Sequence, residues 1–436
     1  MSINQQLLAA LETYPPSEPI QVEQSIQQNE ERKLDLVFIL DCTGSMGSYI
    51  ASATKNCQVI VENILQSERL SNPESLRIGL IAYRDHPPQD NTYLVKDFGF
   101  TSNVSYLRES LESLSASGGG DGPEAVGAAM KAALEMEWRP DATKMAVIIS
   151  DAPPHGIGEY GDGFPEGGPD RADPLKIARQ MASLGIPLFV VACEPALSGY
   201  MYATDFFRAV ANITSAVMIP LTNAALLSHV IVGWALEQMD MDRIINEVGL
   251  AVAERVHGGD DIDLIAKALH EKLLLRNEST KSLFVESIHA KEARHNVEVF
   301  TQSPSVVEAK PHLKRMVGSR FTEKYLSSRY ERRSALSPVT FPLKSPTRHS
   351  ATRHSPYARS PPSSPPRRPI TDYKPFTGSP GYNMTFQEAP LAQELKPRSI
   401  EEELAQSIEL RFGQISLDQA RRITVASAWR SAPPRI

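Results

Sequence analysis

The chain has 436 residues, 45 basic against 52 acidic side chains, and a formal net charge of -7. Three cysteines exclude a disulfide-stapled scaffold and a four-cysteine zinc site. The acidic balance gives no reason to expect a specific nucleic-acid binder, and no apolar run approaches the ~20 residues that span a bilayer.

The first residues, MSINQQLLAALETYPPSEPI, have neither the basic start nor the apolar core of a signal peptide. The cytoplasm is therefore the expected compartment, with the nucleus as the alternative. Residues 1–33 form a polar extension with a short helix candidate at Leu7–Leu11. LDLVFIL (34–40) is almost continuously apolar and ends at Asp41, as a strand covered on both faces does. Ile50, Thr54, Cys57, Val61 and Ile64 mark one face of a helix. Strands follow at 75–85 and, weaker and edge-like, at 92–100. A short helix is expected at 106–114 and a stronger one at 123–136, with Pro123 at its first position. TKMAVIIS (143–150) is a further buried strand, again ending at an aspartate, Asp151. Helix 173–185, strand 186–193, helix 206–214, strand 216–220 and helix 225–239 continue the alternation. Strands separated by helices mean a mostly parallel, doubly wound α/β sheet over residues 34–237.

Residues 238–330 read as a helical appendage, with helices at 241–256 and 261–276 parted by Gly258–Gly259. Residues 331–398 form a basic linker rich in proline and serine. In 331–380, eleven residues are proline, and nine basic side chains face two acidic ones. Such a segment cannot assemble a core and is expected to be disordered. Its Ser-Pro pairs, Ser345-Pro346 among them, suit a proline-directed kinase, whose phosphates would cancel the local charge. Residues 399–436 form a C-terminal region with helix candidates at 400–413 and 416–430. The second carries a Ser416–Gln419 capping box and an apolar stripe of Ile415, Ala420, Ile423, Ala426 and Trp429, suited to the main domain or to a partner.

Ligands of open parallel sheets bind beyond the carboxyl ends of the strands. There the sequence places Asp41-Cys42-Thr43-Gly44-Ser45, then Gly118–Glu124, then Asp151–Gly156. Asp41, Thr43 and Ser45 alternate along what reads as an extended turn, so their side chains point one way. With Asp121 and Asp151 they make five oxygen-bearing side chains from three loops. Oxygen ligands without sulfur or imidazole select Mg²⁺, with Mn²⁺ or Ca²⁺ as alternatives. Glu124 reads as a first-turn acid facing its helix dipole, His155 as a loop histidine, and Arg84 as an ion-pair partner for the aspartates.

Asp41-x-Thr43-x-Ser45 after a buried strand resembles the metal-ion-dependent adhesion site of the von Willebrand factor A domain. The resemblance covers about residues 34–237. It implies a doubly wound sheet, a first loop of Asp41, Thr43 and Ser45, a third loop supplying Asp151, and a metal whose open position takes an acidic residue from a partner protein. Where many members have a second-loop threonine, this chain has Gly120-Asp121. The extra charge would tighten the bare metal and weaken its pull on a carboxylate. IAYRDHPP (81–88), GGGDGPEAV (118–126) and SDAPPHGIGEYGDGFPEGGPD (150–170) look like the A domains attached to alpha-type protein kinases and their kinase-free relatives. The sequence after 240 is too short and too proline-rich for such a kinase domain, so the resemblance implies a partner and not that activity. The expected function is a metal-dependent protein-interaction module or scaffold. The alternative is a metal-dependent hydrolase or phosphotransferase using the same cation, with His155, Asp121 or Cys42 as base or nucleophile.

Overall fold

The computed structural model describes residues 32–67, 70, 72–290, 294–316, 318–335 and 408–431. The polar extension before residue 32, the part of the basic linker beyond 335 and the Ser-Pro pairs lie outside the described residues; residues 331–335, expected to open the disordered linker, instead end a helix, Glu323–Ala335. The chain divides into two compact units, Met1–Ser327 with Gln406–Ile436, and Ser328–Ala405. The first contains everything that follows.

Six strands build its main sheet: β1 (Leu34–Asp41), β2 (Leu76–Tyr83), β3 (Val95–Thr101), β4 (Thr143–Ser150), β5 (Leu188–Cys193) and β6 (Met218–Leu221), in the order β3-β2-β1-β4-β5-β6. All neighbours are parallel except β2 and β3. The antiparallel β3 is the half-exposed edge that its polar sequence predicts. β1 lies at the centre, and every one of its residues is buried. Leu34, Leu36, Phe38 and Leu40 enter one apolar layer; Val37 and Ile39 enter the other. Both faces are covered, which is why the strand reads as an unbroken apolar run.

Helices α1 (Gly47–Leu65) and α2 (Val104–Glu112) contribute to the first layer; α3 (Val126–Glu135), α4 (Pro174–Ser183) and α5 (Ala203–Ile213) form the second. Asp173 caps α4 by accepting from the backbone N–H groups of Leu175 and Lys176, and Gly185 beyond its end takes φ +68°. At the amino ends of the strands, the buried Asp35 carboxylate accepts from Arg77 Nη2 at 2.6 Å and from Arg139 Nε at 2.9 Å.

Helix α6 (Leu227–His257) runs 31 residues without a break, across the expected boundary at 237. Its first part packs in the main core. Met241, Ile244, Ile245, Val248 and Val252 then start a further apolar cluster with Ile265, Leu269 and Leu273 of α7 (Ile262–Leu275). A glycine pair parts the two helices, as read from the sequence.

The appendage is not all helical. Strand β7 (Ser279–Val285) pairs antiparallel with β8 (Ile408–Gln414), where the sequence suggested a helix. Ile408 and Leu410 pack against the main core while Glu409 and Arg411 face outward as an ion pair. This two-residue alternation, together with the β7 edge, outweighs the helix-forming glutamates upstream. The following helix α8 (Leu417–Arg430) has the expected Ser416–Gln419 capping box. Its stripe packs within the same unit: Ile415, Ala420 and Ile423 join the cluster of α6 and α7.

Candidate metal centre

From the central β1 the chain runs first to β2 on one side and later to β4 on the other. The crevice at their carboxyl ends is the position where open α/β sheets bind ligands. Asp41 closes β1 there and is fully buried. Its Oδ1 accepts from the Thr43 backbone N–H at 2.9 Å and from Thr43 Oγ1 at 2.7 Å. Its Oδ2 accepts from Ser150 Oγ of β4 at 2.9 Å. Ser45 lies in a short 3-10 turn, Gly44–Met46, and not on the extended backbone expected from its alternation with Thr43. The turn nevertheless brings its hydroxyl to the carboxylate of Asp151. The structure thus gathers Asp41, Thr43, Ser45 and Asp151, with Ser150 added.

The second loop meets the first through its backbone. Gly44 N–H donates to Gly118 O at 3.3 Å and Ser117 N–H to Cys42 O at 3.1 Å. Gly118, at φ +83°, has no room for a side chain, because an added Cβ would lie 1.7 Å from Asp90 Oδ2.

The acid that this loop presents to Asp41 is Glu124. Helix α3 begins at Val126, later than Pro123 suggested, and Glu124 instead forms an isolated parallel bridge with Pro154. A Cβ on Gly119 would lie 2.8 Å from Glu124 Oε1 and 3.5 Å from Thr43 Cβ, so Glu124 stands beside the first loop. It is 4 % exposed, and its Oε2 has no hydrogen-bond partner. Burial, followed by the charges of Asp41, Asp85, Asp121 and Asp151, pushes its carboxyl up to about 10. Burial and then Asp151 push Asp41 up to about 6, against the hydrogen bonds from Thr43 and Ser150. Burial likewise raises Asp151, against its bond to Ser45. Three carboxyls drawn from water around one crevice, one oxygen lacking any donor, and only oxygen atoms in the set match a hard cation.

Asp121 belongs to a neighbouring cluster. Its Oδ2 accepts from the Gly163 backbone N–H, and atoms of Asp85, Asp121 and His155 that can bind a metal all lie within 4.8 Å of one another. His155 is buried between two carboxylates, with Nε2 2.7 Å from Asp85 Oδ1 and Nδ1 2.7 Å from Asp162 Oδ1. Burial opposes its charge, but the bonds to Asp162 and Asp85 prevail and push the imidazole up to about 9. Arg84, expected to pair with the aspartates at the strand ends, is drawn off to Asp90 at 3.6 Å, Thr92 and Ser115. Cys42 is fully buried, its thiol pushed up to about 12 by burial, so it offers no thiolate for a nucleophilic role. The run Gly156-Ile157-Gly158-Glu159-Tyr160-Gly161 has dinucleotide-loop spacing, but no helix follows before Pro174, and a phosphate cradle needs one at once.

Sequence reasoning placed Glu124 in the second loop but gave it the role of a helix-start acid, and it did not assign Asp85, Asp162 or Ser150 to the crevice. Asp85 and Ser150 sit at the carboxyl ends of β2 and β4, the positions already searched for ligands. Glu124 was masked by its resemblance to a helix-start acid, and Asp162 comes from a long loop with no periodic signal.

Residues 35–218 match the von Willebrand factor type A domain, and such a domain is present in the chain. Alpha-protein kinase vwkA of Dictyostelium discoideum is 32 % identical over 195 residues, which cover 42 % of this chain and 30 % of that protein. A protein of Acanthamoeba polyphaga mimivirus described as an ariadne-like RING finger protein, R811, is 28 % identical over 236 residues, 52 % of this chain and 22 % of that one. The chain thus spans less than a third of the length of either relative. Among solved structures, the pilus adhesin SpaC from Lactobacillus rhamnosus GG has a TM-score of 0.37 at 12 % identity, covering 48 % of this chain and 31 % of that chain.

Proposed function

We propose that the von Willebrand factor type A domain of this chain is a cation-dependent protein-interaction module. Asp41, Thr43, Ser45 and Asp151 would hold a hard divalent cation, Mg²⁺ first and Mn²⁺ or Ca²⁺ as alternatives. An acidic side chain of a partner protein would approach its open position. When bound, the cation supplies positive charge for a carboxylate that the bare crevice repels. The observation that carries this reading is the oxygen set of Asp41, Thr43, Ser45, Ser150 and Asp151 at the β1–β4 crevice, with the unpartnered Glu124 Oε2 beside it.

The chain's own residues divide the work. Thr43 and Ser150 orient the two oxygens of Asp41, and Ser45 orients Asp151. Glu124 stands beside Thr43 with a buried carboxyl, and Asp121, at the stretch where the family resemblance suggests a neutral threonine, adds charge from further along the rim. Both additions favour the bare cation and reduce its appetite for a second carboxylate. Weak, readily reversed capture of acidic partners is the expected behaviour.

The test is direct. The 436-residue chain is titrated with Mn²⁺, and Asp41→Ala is expected to lose one equivalent of bound cation. A glutamate-rich peptide should bind in Mg²⁺ and be released by EDTA. Unchanged stoichiometry in Asp41→Ala ends the metal reading; peptide binding indifferent to EDTA ends the interaction reading.

A further inference from the structure

We infer that the chain holds a second hard divalent cation, between the carboxylates of Asp85 and Asp121. It rests on residues outside the set around Asp41 and does not require the cation proposed there.

Asp85 follows the end of β2 and is fully buried. Its Oδ1 accepts from the His86 backbone N–H at 2.6 Å and faces His155 Nε2 at 2.7 Å. Its Oδ2 is buried with no partner. The half-buried Asp121 shows the same division: Oδ2 accepts from Gly163 N–H, and Oδ1 is buried with no partner. Gln89 Oε1 is also buried with no partner. A Cβ built on Gly163 would lie 2.2 Å from Gln89 Nε2 and 2.7 Å from Asp121 Oδ2, which puts that amide against that carboxylate.

A buried carboxylate oxygen without a donor is costly, and two facing each other are more so. Either a shared proton or a cation relieves this. The 4.8 Å limit on the candidate ligand atoms of Asp85, Asp121 and His155 is the spacing of groups around one ion with bonds of about 2.0–2.6 Å. His155 cannot supply a lone pair while both ring nitrogens face carboxylates. It is a positioning residue that holds Asp85 Oδ1 and leaves Oδ2 turned to the ion, as metal-site carboxylates are commonly held. Without sulfur or free imidazole, the remaining donors are oxygens. The ion is therefore of the Mg²⁺, Mn²⁺ or Ca²⁺ class, with water completing its coordination on the open Asp121 side.

Mn²⁺ titrated into the full chain, with free ion counted by electron paramagnetic resonance, decides the matter. Circular dichroism without metal serves as the folding control for each variant. Wild type should bind two equivalents. Asp85→Asn and Asp121→Asn should each bind one, with at least a tenfold loss at the affected site. Asp121→Asn, on the rim, keeps the test usable if the buried Asp85→Asn fails to fold. His155→Gln should weaken the second ion and leave the first unchanged. Two equivalents persisting in Asp121→Asn would overturn the inference, and so would a single equivalent that both Asp41→Ala and Asp121→Asn abolish. If Asp41→Ala keeps both equivalents while Asp121→Asn loses one, the second cation stands and the assignment of the first falls.

Discussion

Asp41 combines full burial with a short hydroxyl bond to Thr43 and a second to Ser150, yet its carboxyl is pushed up to about 6. The shift has a definite sign for the metal-free chain. A folded-state value above the unfolded one, ~3.9, means that the carboxylate form is penalised in the fold. This contribution is present in full below about pH 4 and is lost as pH rises through about 6. Glu124 and Asp151 are shifted in the same direction. Added Mg²⁺ should therefore raise the melting temperature more at pH 7.5 than at pH 5, because protons compete with the cation for these oxygens. A Mg²⁺-induced shift that is equal at the two pH values would count against the first centre. The grouping of Asp41, Thr43, Ser45 and Asp151 at one crevice was legible in sequence, because strand ends can be read from apolar runs. Asp121 was found as an acid of the region, but which neighbours it meets depends on Gly163, forty-two residues away along the chain.

Helix α3 shows how an element carries the crevice. Its first turn lies against the loop before α4, where a Cβ on Gly127 would meet Ala172 O at 2.3 Å. In an exposed helix Gly→Ala gains about 1 kcal/mol. At Gly127 the contact is with backbone, which cannot swing aside, and overpacking of this kind costs about 1–3 kcal/mol. Gly127→Ala should thus lower stability in chemical denaturation; a stabilised variant would show that the loop yields freely. At the opposite end of the sheet, Asp35 ties β1 to Arg77 and Arg139, with its own side chain fully buried. Asp35→Ala removes the one carboxylate that both guanidinium groups share, leaving them only backbone carbonyls, and should cost about 3–5 kcal/mol in urea unfolding. A loss under 1 kcal/mol would reduce the network to a solvated surface pair. Element types and order were mostly readable from periodicity. The exceptions include β7 and β8, the unbroken α6 and the start of α3; at the strands and at α3, pairing to a distant edge or to Pro154 overrode local preference.

The whole first unit closes on itself through its last described segment. β8 completes a two-stranded sheet with β7, and α8 fills the third apolar cluster between α6 and α7. A buried ion pair, Arg422 to Glu237 at 2.7 Å, locks α8 to the helix that leaves the main core. The C-terminal segment is accordingly part of the same folded body as the central sheet. Ile423→Ala, at a fully buried position, should cost about 2–5 kcal/mol. It should shift the single thermal transition of the entire unit, followed by calorimetry. A separate low-temperature transition for the C-terminal region, with the main transition unmoved, would show that the two are independent.

Sequence by itself determined the central strands, the α/β alternation and the oxygen-bearing first loop. Each is written in local signals: apolar runs, helical spacing, and side chains a few residues apart. Tertiary structure alone decided which acids share a crevice, that Glu124 and not Asp121 stands beside Thr43, and that residues 408–431 return to finish the fold. Those outcomes depend on contacts between residues tens to hundreds of positions apart, whose energies are set by burial and by the few partners a sheet covered on both faces leaves available.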